Sequence, residues 1–240
     1  VVGATTALFT GFLGVVQNDI KRVVAYSTLS QLGYMTVALG VSAYSAGIFH
    51  LMTHAFFKAL LFLAAGSVII GMHHDQDIRN MGGLRKYMPI TWITALLGSL
   101  ALIGTPLFAG FYSKDSIILA VEASNLPGTP FAIFAVVAGV FVTAFYSFRM
   151  YFLVFHGKEH FHHKPFPGEH DHHEDHGYGH PHTPHESPWV VTVPLVLLAI
   201  PSIYAGWTYI EPMLFGEYFG QAIVVRPEHA VLWELKNEWH

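Results

Sequence analysis

The sequence predicts an all-α fold, a polytopic bundle of transmembrane helices in which one helix is discontinuous. Three observations carry this prediction: the scarcity of charge, apolar stretches of the length that crosses a bilayer, and connections that alternate in charge. Only 12% of the 240 residues are charged and 52% are hydrophobic, whereas a soluble domain carries about 25% charged residues. The composition therefore indicates that lipid surrounds most of the chain.

Six apolar stretches reach, or nearly reach, the roughly 20 residues that a spanning helix needs. They cover residues 1–16, 23–41, 47–71, 89–119, 131–155 and 189–210. The first opens on Val1 without an initiator Met or a basic segment, so we expect a fragment of a longer protein rather than a signal peptide. We divide the chain into a five-span transmembrane bundle (1–155), a His-rich loop (156–188), a sixth span (189–210) and an interfacial or extramembrane tail (211–240).

The connections between these stretches alternate between basic and neutral. Three of them carry Lys or Arg, namely Lys21, Arg22, Arg79, Arg85, Lys86, Lys158 and Lys164. The two between them, residues 42–46 and 122–130, have no Lys or Arg. Because positive loops are retained in the cytoplasm, we expect the first, third and fifth connections on the cytoplasmic side.

Composition also excludes several kinds of site. The chain has no Cys, so it offers no disulfide, no thiolate metal site and no ligand for an Fe–S cluster. Its formal net charge is -4. Nucleic-acid binding requires clustered Lys and Arg, and the charge balance gives no sign of such a basic surface.

The loop at 156–185 holds eleven of the 17 His residues. Six of them are spaced closely enough to be considered as metal ligands: His160, His162, His163, His170, His172 and His173. His-rich tracts can bind transition metals, but four prolines at 165, 167, 181 and 184 interrupt any continuous helix here. We favour a solvated loop with incidental metal affinity over a dedicated metal site.

The third apolar stretch contains His50, His54 and Lys58, at positions i, i+4 and i+8. On a helix these side chains lie near one stripe and cover about 12 Å along the axis. A lysine at mid-membrane costs a few kcal/mol, so Lys58 should face a polar interior. Since histidine titrates near neutral pH, we expect this stripe to pass protons. The alternative is a set of interhelical hydrogen bonds that only holds the bundle together.

The fourth stretch contains a predicted break and a second lysine. Pro106 removes a backbone hydrogen bond, and glycines at 104 and 110 loosen the helix on either side. A helix broken at this depth must line a cavity or be covered by protein, and broken helices in transporters form ion sites. Lys114 follows the break, beside Asp115. The alternative is a proline kink followed by a lysine that reaches the membrane edge.

Two further features precede the third stretch. Lys21 is a topological anchor by its position, or a residue at the cytoplasmic mouth of a proton path. A polar patch on the second stretch, formed by Ser27, Thr28, Ser30 and Gln31, either supports waters or packs against neighbouring helices.

Several of these segments together resemble the antiporter-like membrane subunits of respiratory complex I. The segments are 17–22, 25–35, 50–63, 81–84, 113–115 and 155–157. The last two narrow the resemblance to the largest and most distal of those subunits, the bacterial L-type subunits. The resemblance extends over residues 1–210, and the His-rich insertion is not expected across the family.

The resemblance implies two inverted repeats of five helices, each with one broken helix, of which this chain would supply the second repeat and its junction with the first. Lys58 resembles the central lysine of the family's hydrated axis, with His50 and His54 as its connecting histidines. Lys114 resembles the distal lysine, Asp115 its acidic neighbour on the exit route. Lys21 resembles a basic residue on the input side.

By the same resemblance, the chain would be a proton-translocating subunit of a bacterial NADH:quinone oxidoreductase, multi-pass in the inner (plasma) membrane. It would contact lipid, protons and other membrane-arm subunits, whereas FMN, Fe–S clusters, NADH and quinone would be bound by other subunits. Three alternatives stay open: the large subunit of a multi-subunit cation/proton antiporter, a subunit of an ion-pumping membrane hydrogenase, and a membrane scaffold whose polar residues only join helices.

Overall fold

The computed structural model describes residues 1–162 and 183–236, and within these residues the chain is helical. The α-helices are α1 (Val2–Val16), α2 (Ile20–Gly40), α3 (Tyr44–Gly71), α4 (Pro89–Ile103), α5 (Ala109–Glu122), α6 (Thr129–Phe155), α7 (Trp189–Leu214) and α8 (Val231–Leu235). Short 3₁₀ turns lie at Ile78–Asn80, Leu84–Lys86 and Pro227–His229. The all-α prediction is confirmed for the described residues.

Among the described residues, three helices are long and apolar enough to cross a membrane, namely α3, α6 and α7, with 28, 27 and 26 residues. The outward faces of α6 and α7 carry large apolar side chains, among them Phe141, Phe145 and Trp207, which are 73%, 60% and 70% exposed. A row of exposed aromatic side chains on a helix of this length is suited to lipid. Two further apolar helices, α1 and α4, have 15 residues each.

The predicted discontinuity lies between α4 and α5. The last turn of α4 closes on Gly104, which adopts a left-handed φ of 80°, and the amide of Thr105 donates to the carbonyl of Leu100 at 3.1 Å. Helix α5 begins again at Ala109. The two half-helices then approach so closely that a Cβ on Gly110 would overlap the carbonyl oxygen of Ala101, so only glycine fits at this crossing.

Helix α3 is central, because it packs against α2, α4, α5 and α7. Its apolar contacts fall into two clusters of buried residues. One includes Phe57, Leu61 and Met81, and the other includes Phe49 and Ile117. The stretch of α3 between Phe49 and Phe57 carries the polar residues described below.

The three basic connections lie together at one end of the bundle. The amide of Ile78 donates to the carbonyl of Asn18 at 2.8 Å, and that of Gly83 donates to the carbonyl of His156 at 3.2 Å. Arg149, near the end of α6, donates to the carbonyl of Gln17 at 2.7 Å. This arrangement agrees with loops on one side of a membrane, and their cytoplasmic location stays a prediction.

Several helices extend beyond the expected stretches: α2, α3 and α6 begin earlier, and α5 and α7 end later. Helix α2 begins at Ile20 rather than at 23, because the Asp19 carboxylate accepts from the amides of Lys21 and Arg22 at 2.9 and 3.3 Å and caps the helix. Helix α7 continues past 210 to Leu214 although it contains three prolines. Beyond it, Leu232 and Leu235 of α8 are buried, so this part of the tail packs onto the bundle.

Candidate functional site

The polar row on α3 faces protein. His50, His54 and Lys58 are 0%, 6% and 4% exposed. Their spacing places them on one face of α3, and that face is the one covered by α2 and α5. The helix therefore buries its three titratable side chains together.

Lys58 is held by a serine of α2. Its Nζ donates to Oγ of Ser27 at 2.6 Å, and the hydroxyl of Tyr146 on α6 donates to the same oxygen at 2.9 Å. A cavity of about 10 Å³ lies against this group and is also lined by Ser99 and Ser147, whose buried hydroxyls have no hydrogen-bond partner in the described part of the chain. A polar cavity of this size has room for about one water.

His50 is bonded through both ring nitrogens. Its Nε2 lies 2.9 Å from Oε1 of Gln31 on α2, and its Nδ1 lies 2.8 Å from Oγ of Ser113 on α5. The hydroxyl of Thr53 lies 2.7 Å from the same serine oxygen. One imidazole thus joins α2, α3 and the second half of the broken helix.

His54 lies between His50 and Lys58 and has fewer hydrogen-bond partners than either in the described residues. Its ring centroid is 6.1 Å from that of His50 and 5.5 Å from that of Phe57. Its buried Nε2 has no hydrogen-bond partner among the described residues. One ring nitrogen of His54 inside the row is therefore not bonded to any described protein group.

Lys114 is buried in a different way from Lys58. It is 2% exposed, and its Nζ, which has no hydrogen-bond partner in the described chain, lies 4.8 Å from the centroid of the Tyr34 ring. An ammonium at this distance from a ring face is stabilised by a cation–π interaction. The side chain is covered by helices rather than extended to a membrane edge.

Tyr34 is itself fixed. Its hydroxyl donates to the carbonyl of Val136 on α6 at 2.6 Å. A Cβ at Gly139 would overlap that hydroxyl, so the glycine makes room for it. The ring under Lys114 is held from the opposite side by α6.

The remaining predicted residues lie outside this buried row. Asp115 is half-buried on α5. Lys21 is exposed in the first turn of α2, about 9 Å along the helix axis from Ser27 at 1.5 Å per residue. The structure therefore does not bring Asp115 or Lys21 into contact with the two buried lysines.

The His-rich loop is described only at its two ends. His160 Nδ1 lies 3.3 Å from the carbonyl of Met81, and His162 Nε2 lies 3.1 Å from Oε2 of Glu159. Four candidate ligands, His163, His170, His172 and His173, lie outside the described residues. Within the described ranges, no group of three or more His, Cys, Asp or Glu side chains could hold a metal ion.

The connection end of the bundle has its own polar contacts, apart from the row. Burial lowers the pKa of His156 below its usual value, and the charge of Arg85 acts in the same direction. The indole Nε1 of Trp92 donates to Nε2 of His156 at 3.3 Å, which requires the neutral imidazole. This histidine therefore serves as an acceptor that ties α4 to the end of α6.

Several residues of the site were not identified as such from the sequence. Ser27 and Gln31 were recognised only as members of a polar patch, and Thr53, Ser113, Tyr34 and Tyr146 were not singled out. Thr53 follows His50 by three positions, and this helical spacing places both on one side of α3. The spacing could have identified Thr53 as a residue of the site. The tyrosines carry no such local signal, because their partners are distant in the chain.

Residues 1–145 match the family described as "NADH:quinone oxidoreductase/Mrp antiporter, TM". The whole chain is 66% identical to NADH-quinone oxidoreductase subunit L of Neisseria meningitidis serogroup A, covering 36% of that protein. Over 68% of the chain it is 56% identical to the subunit of the same name from Escherichia coli K12, covering 26% of it. The chain thus spans about a third of the length of such relatives.

Two solved structures share the fold. The Mrp complex from a Dietzia species matches 96% of this chain and 48% of the solved chain, with a TM-score of 0.72 and 21% identity. The archaeal membrane-bound sulfane sulfur reductase matches 85% of this chain and 31% of the solved chain, with a TM-score of 0.68 and 29% identity. The predicted antiporter-like fold is therefore confirmed.

Proposed function

Because the chain belongs to the NADH:quinone oxidoreductase/Mrp antiporter transmembrane family, we propose that it is part of a proton-translocating membrane subunit of a bacterial NADH:quinone oxidoreductase. The observation that carries the proposal is the pair of buried lysines, Lys58 and Lys114, on either side of a hydrogen-bonded histidine. The names of the relatives favour the same oxidoreductase.

In this proposal protons move along the buried row. Lys58 acts as the inner store, since its Nζ already contacts a hydroxyl and a cavity with room for about one water. His50 and His54 pass protons onward, and Lys114 acts as the outer store. Two like charges in a low-dielectric interior repel one another over many ångströms, so protonation of one lysine favours release from the other.

Asp115 and Lys21 occupy the outer positions of the proposed path. Asp115 is half-buried next to Lys114 in the chain and is suited to accept a proton on the exit side. Lys21 lies exposed at the end of the bundle that carries the basic connections and is suited to the input side. Neither role needs direct contact with the row if waters join them to it.

The rest of the proposed activity belongs to other chains. NADH oxidation, FMN, Fe–S clusters and quinone reduction would reside in further subunits. For the Fe–S clusters, this chain offers no cysteine ligand. Its own contacts would be with neighbouring subunits of the membrane arm, with lipid and with protons. In a bacterium the location would be the inner membrane.

The test is neutralisation of each lysine in the intact complex. Lys58→Met and Lys114→Met should each lower NADH-driven proton pumping by about tenfold or more, since a positioned acid–base group contributes at least that factor. Lys86→Met, which removes an exposed lysine of a basic connection, serves as the matched control. Full pumping with full quinone reductase activity in both buried-lysine variants would show the proposal to be wrong.

A cation/proton antiporter or an ion-pumping membrane hydrogenase is the alternative, and the shared fold supports it. These alternatives differ from the oxidoreductase in the subunits that accompany this bundle rather than in the bundle itself. Purification of the intact subunit from its native membrane distinguishes them. Flavin and Fe–S absorbance that co-purifies with NADH oxidation identifies the oxidoreductase, whereas a redox-free assembly that exchanges Na⁺ for H⁺ identifies the antiporter.

A further inference from the structure

The contacts of His50, Thr53 and Ser113 join α3 to the second half of the broken helix. Ser113 Oγ lies 2.8 Å from His50 Nδ1 and 2.7 Å from Thr53 Oγ1. All three side chains are fully buried. A hydroxyl has one donor and two acceptor sites, so Ser113 can donate to either neighbour while it accepts from the other.

The neutral imidazole determines one direction for these bonds. Oε1 of Gln31 is an acceptor, so Nε2 of His50 carries the hydrogen and donates to it at 2.9 Å. Nδ1 then accepts from the Ser113 hydroxyl, whose oxygen accepts from the Thr53 hydroxyl. The N–H of His50 and the hydroxyls of Ser113 and Thr53 each have an acceptor in this arrangement.

The protonated imidazole reverses the bond at Nδ1, and the same atoms can satisfy a chain that runs in the opposite direction. Nδ1–H donates to Ser113, the Ser113 hydroxyl donates to Thr53, and the Thr53 hydroxyl donates to the carbonyl of His50, which lies 3.1 Å away. Ser113 has a second acceptor in the carbonyl of Gly110 at 3.4 Å. No heavy atom has to move between the two states.

We infer that Thr53 and Ser113 form a reversible two-hydroxyl link that carries protons to and from His50 by way of the second half of the broken helix. The inference rests on the proposed function, because it names the groups through which the row reaches α5. It assigns a transfer role to two side chains that border the row without carrying a charge.

The transfer conserves atoms and charge. A proton from a protonated water binds the Thr53 oxygen as the original Thr53 O–H bond breaks and its proton joins Ser113. The Ser113 O–H bond breaks in turn and an N–H bond forms at Nδ1 of His50. The row gains one proton, and both hydroxyls end with one hydrogen each. The reverse sequence releases the proton.

The test uses Ser113→Ala and Thr53→Val in the intact complex, with Thr53→Ser as the conservative variant. We expect Ser113→Ala and Thr53→Val each to lower pumping about fivefold, the factor of one lost hydrogen bond, and to raise the solvent deuterium isotope effect on pumping. Thr53→Ser should pump as the parent does, because it keeps the hydroxyl. Thr53→Val preserves the shape of the side chain, so it tests the link even if Ser113→Ala fails to assemble.

Two control variants remove buried hydroxyls that bond only within their own helix. Ser116→Ala on α5 loses a donor to the Tyr112 carbonyl, and Thr94→Val on α4 loses donors to the carbonyls of Ile90 and Thr91. Both should leave pumping and its isotope effect unchanged.

Two results would overturn the inference. One is parental pumping with an unchanged isotope effect in either Ser113→Ala or Thr53→Val. The other is an equal loss in Thr53→Ser and Thr53→Val. The proposed function is judged separately by Lys58→Met and Lys114→Met: if those variants lose pumping while the hydroxyl variants do not, only the two-hydroxyl link is wrong.

Discussion

The two buried lysines differ in how the fold accommodates an amine. Lys58 lies on the continuous helix α3 and donates to Ser27, which is also bonded to Tyr146. Lys114 lies on the broken helix, without a hydrogen-bond partner in the described residues, over the ring of Tyr34. A hydroxyl can relay a proton as well as bind one, whereas a ring face stabilises charge without accepting a proton. Lys58 is therefore part of a chain of exchangeable hydrogens, whereas the amine of Lys114 contacts a ring face and no hydroxyl in the described part of the chain.

The helix break should be the most sensitive part of this comparison. Gly110→Ala forces a methyl group onto the Ala101 carbonyl where α4 and α5 meet, so we expect it to lower the free energy of unfolding by about 3 kcal/mol and to displace Lys114. Gly66→Ala on α3 meets open space and should be neutral or stabilising, since alanine favours a helix interior. Thermal unfolding of the detergent-solubilised intact subunit measures both. Equal stability of the two variants would mean that the break tolerates a side chain.

Removal of the aromatic ring beneath Lys114 should have the next largest effect on the free energy of unfolding. Tyr34→Leu removes the aromatic face. We expect it to lower the free energy of unfolding by about 2 kcal/mol, the size of a desolvated cation–π interaction, and to lower proton pumping as well. Tyr34→Phe keeps the ring and loses only the bond to Val136, so it should pump nearly as the parent does. In a Lys114→Met background, Tyr34→Leu should cause no further loss of pumping. An additive loss there would show that the ring acts independently of the lysine.

The hydroxyl beside Lys58 should matter least for stability. Ser27→Ala removes an acceptor from Lys58 and from Tyr146, and we expect a loss of about 1 kcal/mol together with slower pumping. Ser202→Ala on α7, whose buried hydroxyl bonds only the Leu198 carbonyl of its own helix, is the matched control. Unfolding and pumping of the two variants are compared side by side. If Ser27→Ala and Ser202→Ala unfold and pump alike, neither the stability nor the proton transfer at Lys58 depends on the Ser27 hydroxyl.

Local patterns in the sequence were sufficient for the elements that carry the lysines. The i, i+4, i+8 spacing of His50, His54 and Lys58 depends only on helical geometry, and all three share one buried face. The break around Pro106 follows from a missing N–H and flanking glycines, and α4 ends there. Helix α2 begins before its apolar stretch because the Asp19 carboxylate caps it, and hydropathy does not register a polar cap.

The partners of these residues could not be predicted in the same way. Ser113 is 63 positions from His50, Tyr146 is 119 from Ser27, and Tyr34 is 102 from Val136. No periodicity links such pairs, since each depends on how α2, α5 and α6 pack around α3. The roles proposed for Asp115 and Lys21 also stay predictions, because neither lies in the buried row.

By itself, the sequence determined that this protein is a helical membrane bundle, that one helix is broken, and that titratable side chains line one face of α3. These properties follow from hydropathy, helical periodicity and the chemistry of proline, all of which act over a few neighbouring residues. Only the tertiary structure decided that Lys58 contacts a hydroxyl, that Lys114 lies over a ring, and that His50 is joined to the broken helix through Ser113. These contacts depend on the close packing of helices that are distant in the chain, and in a low-dielectric interior such packing decides which polar groups meet.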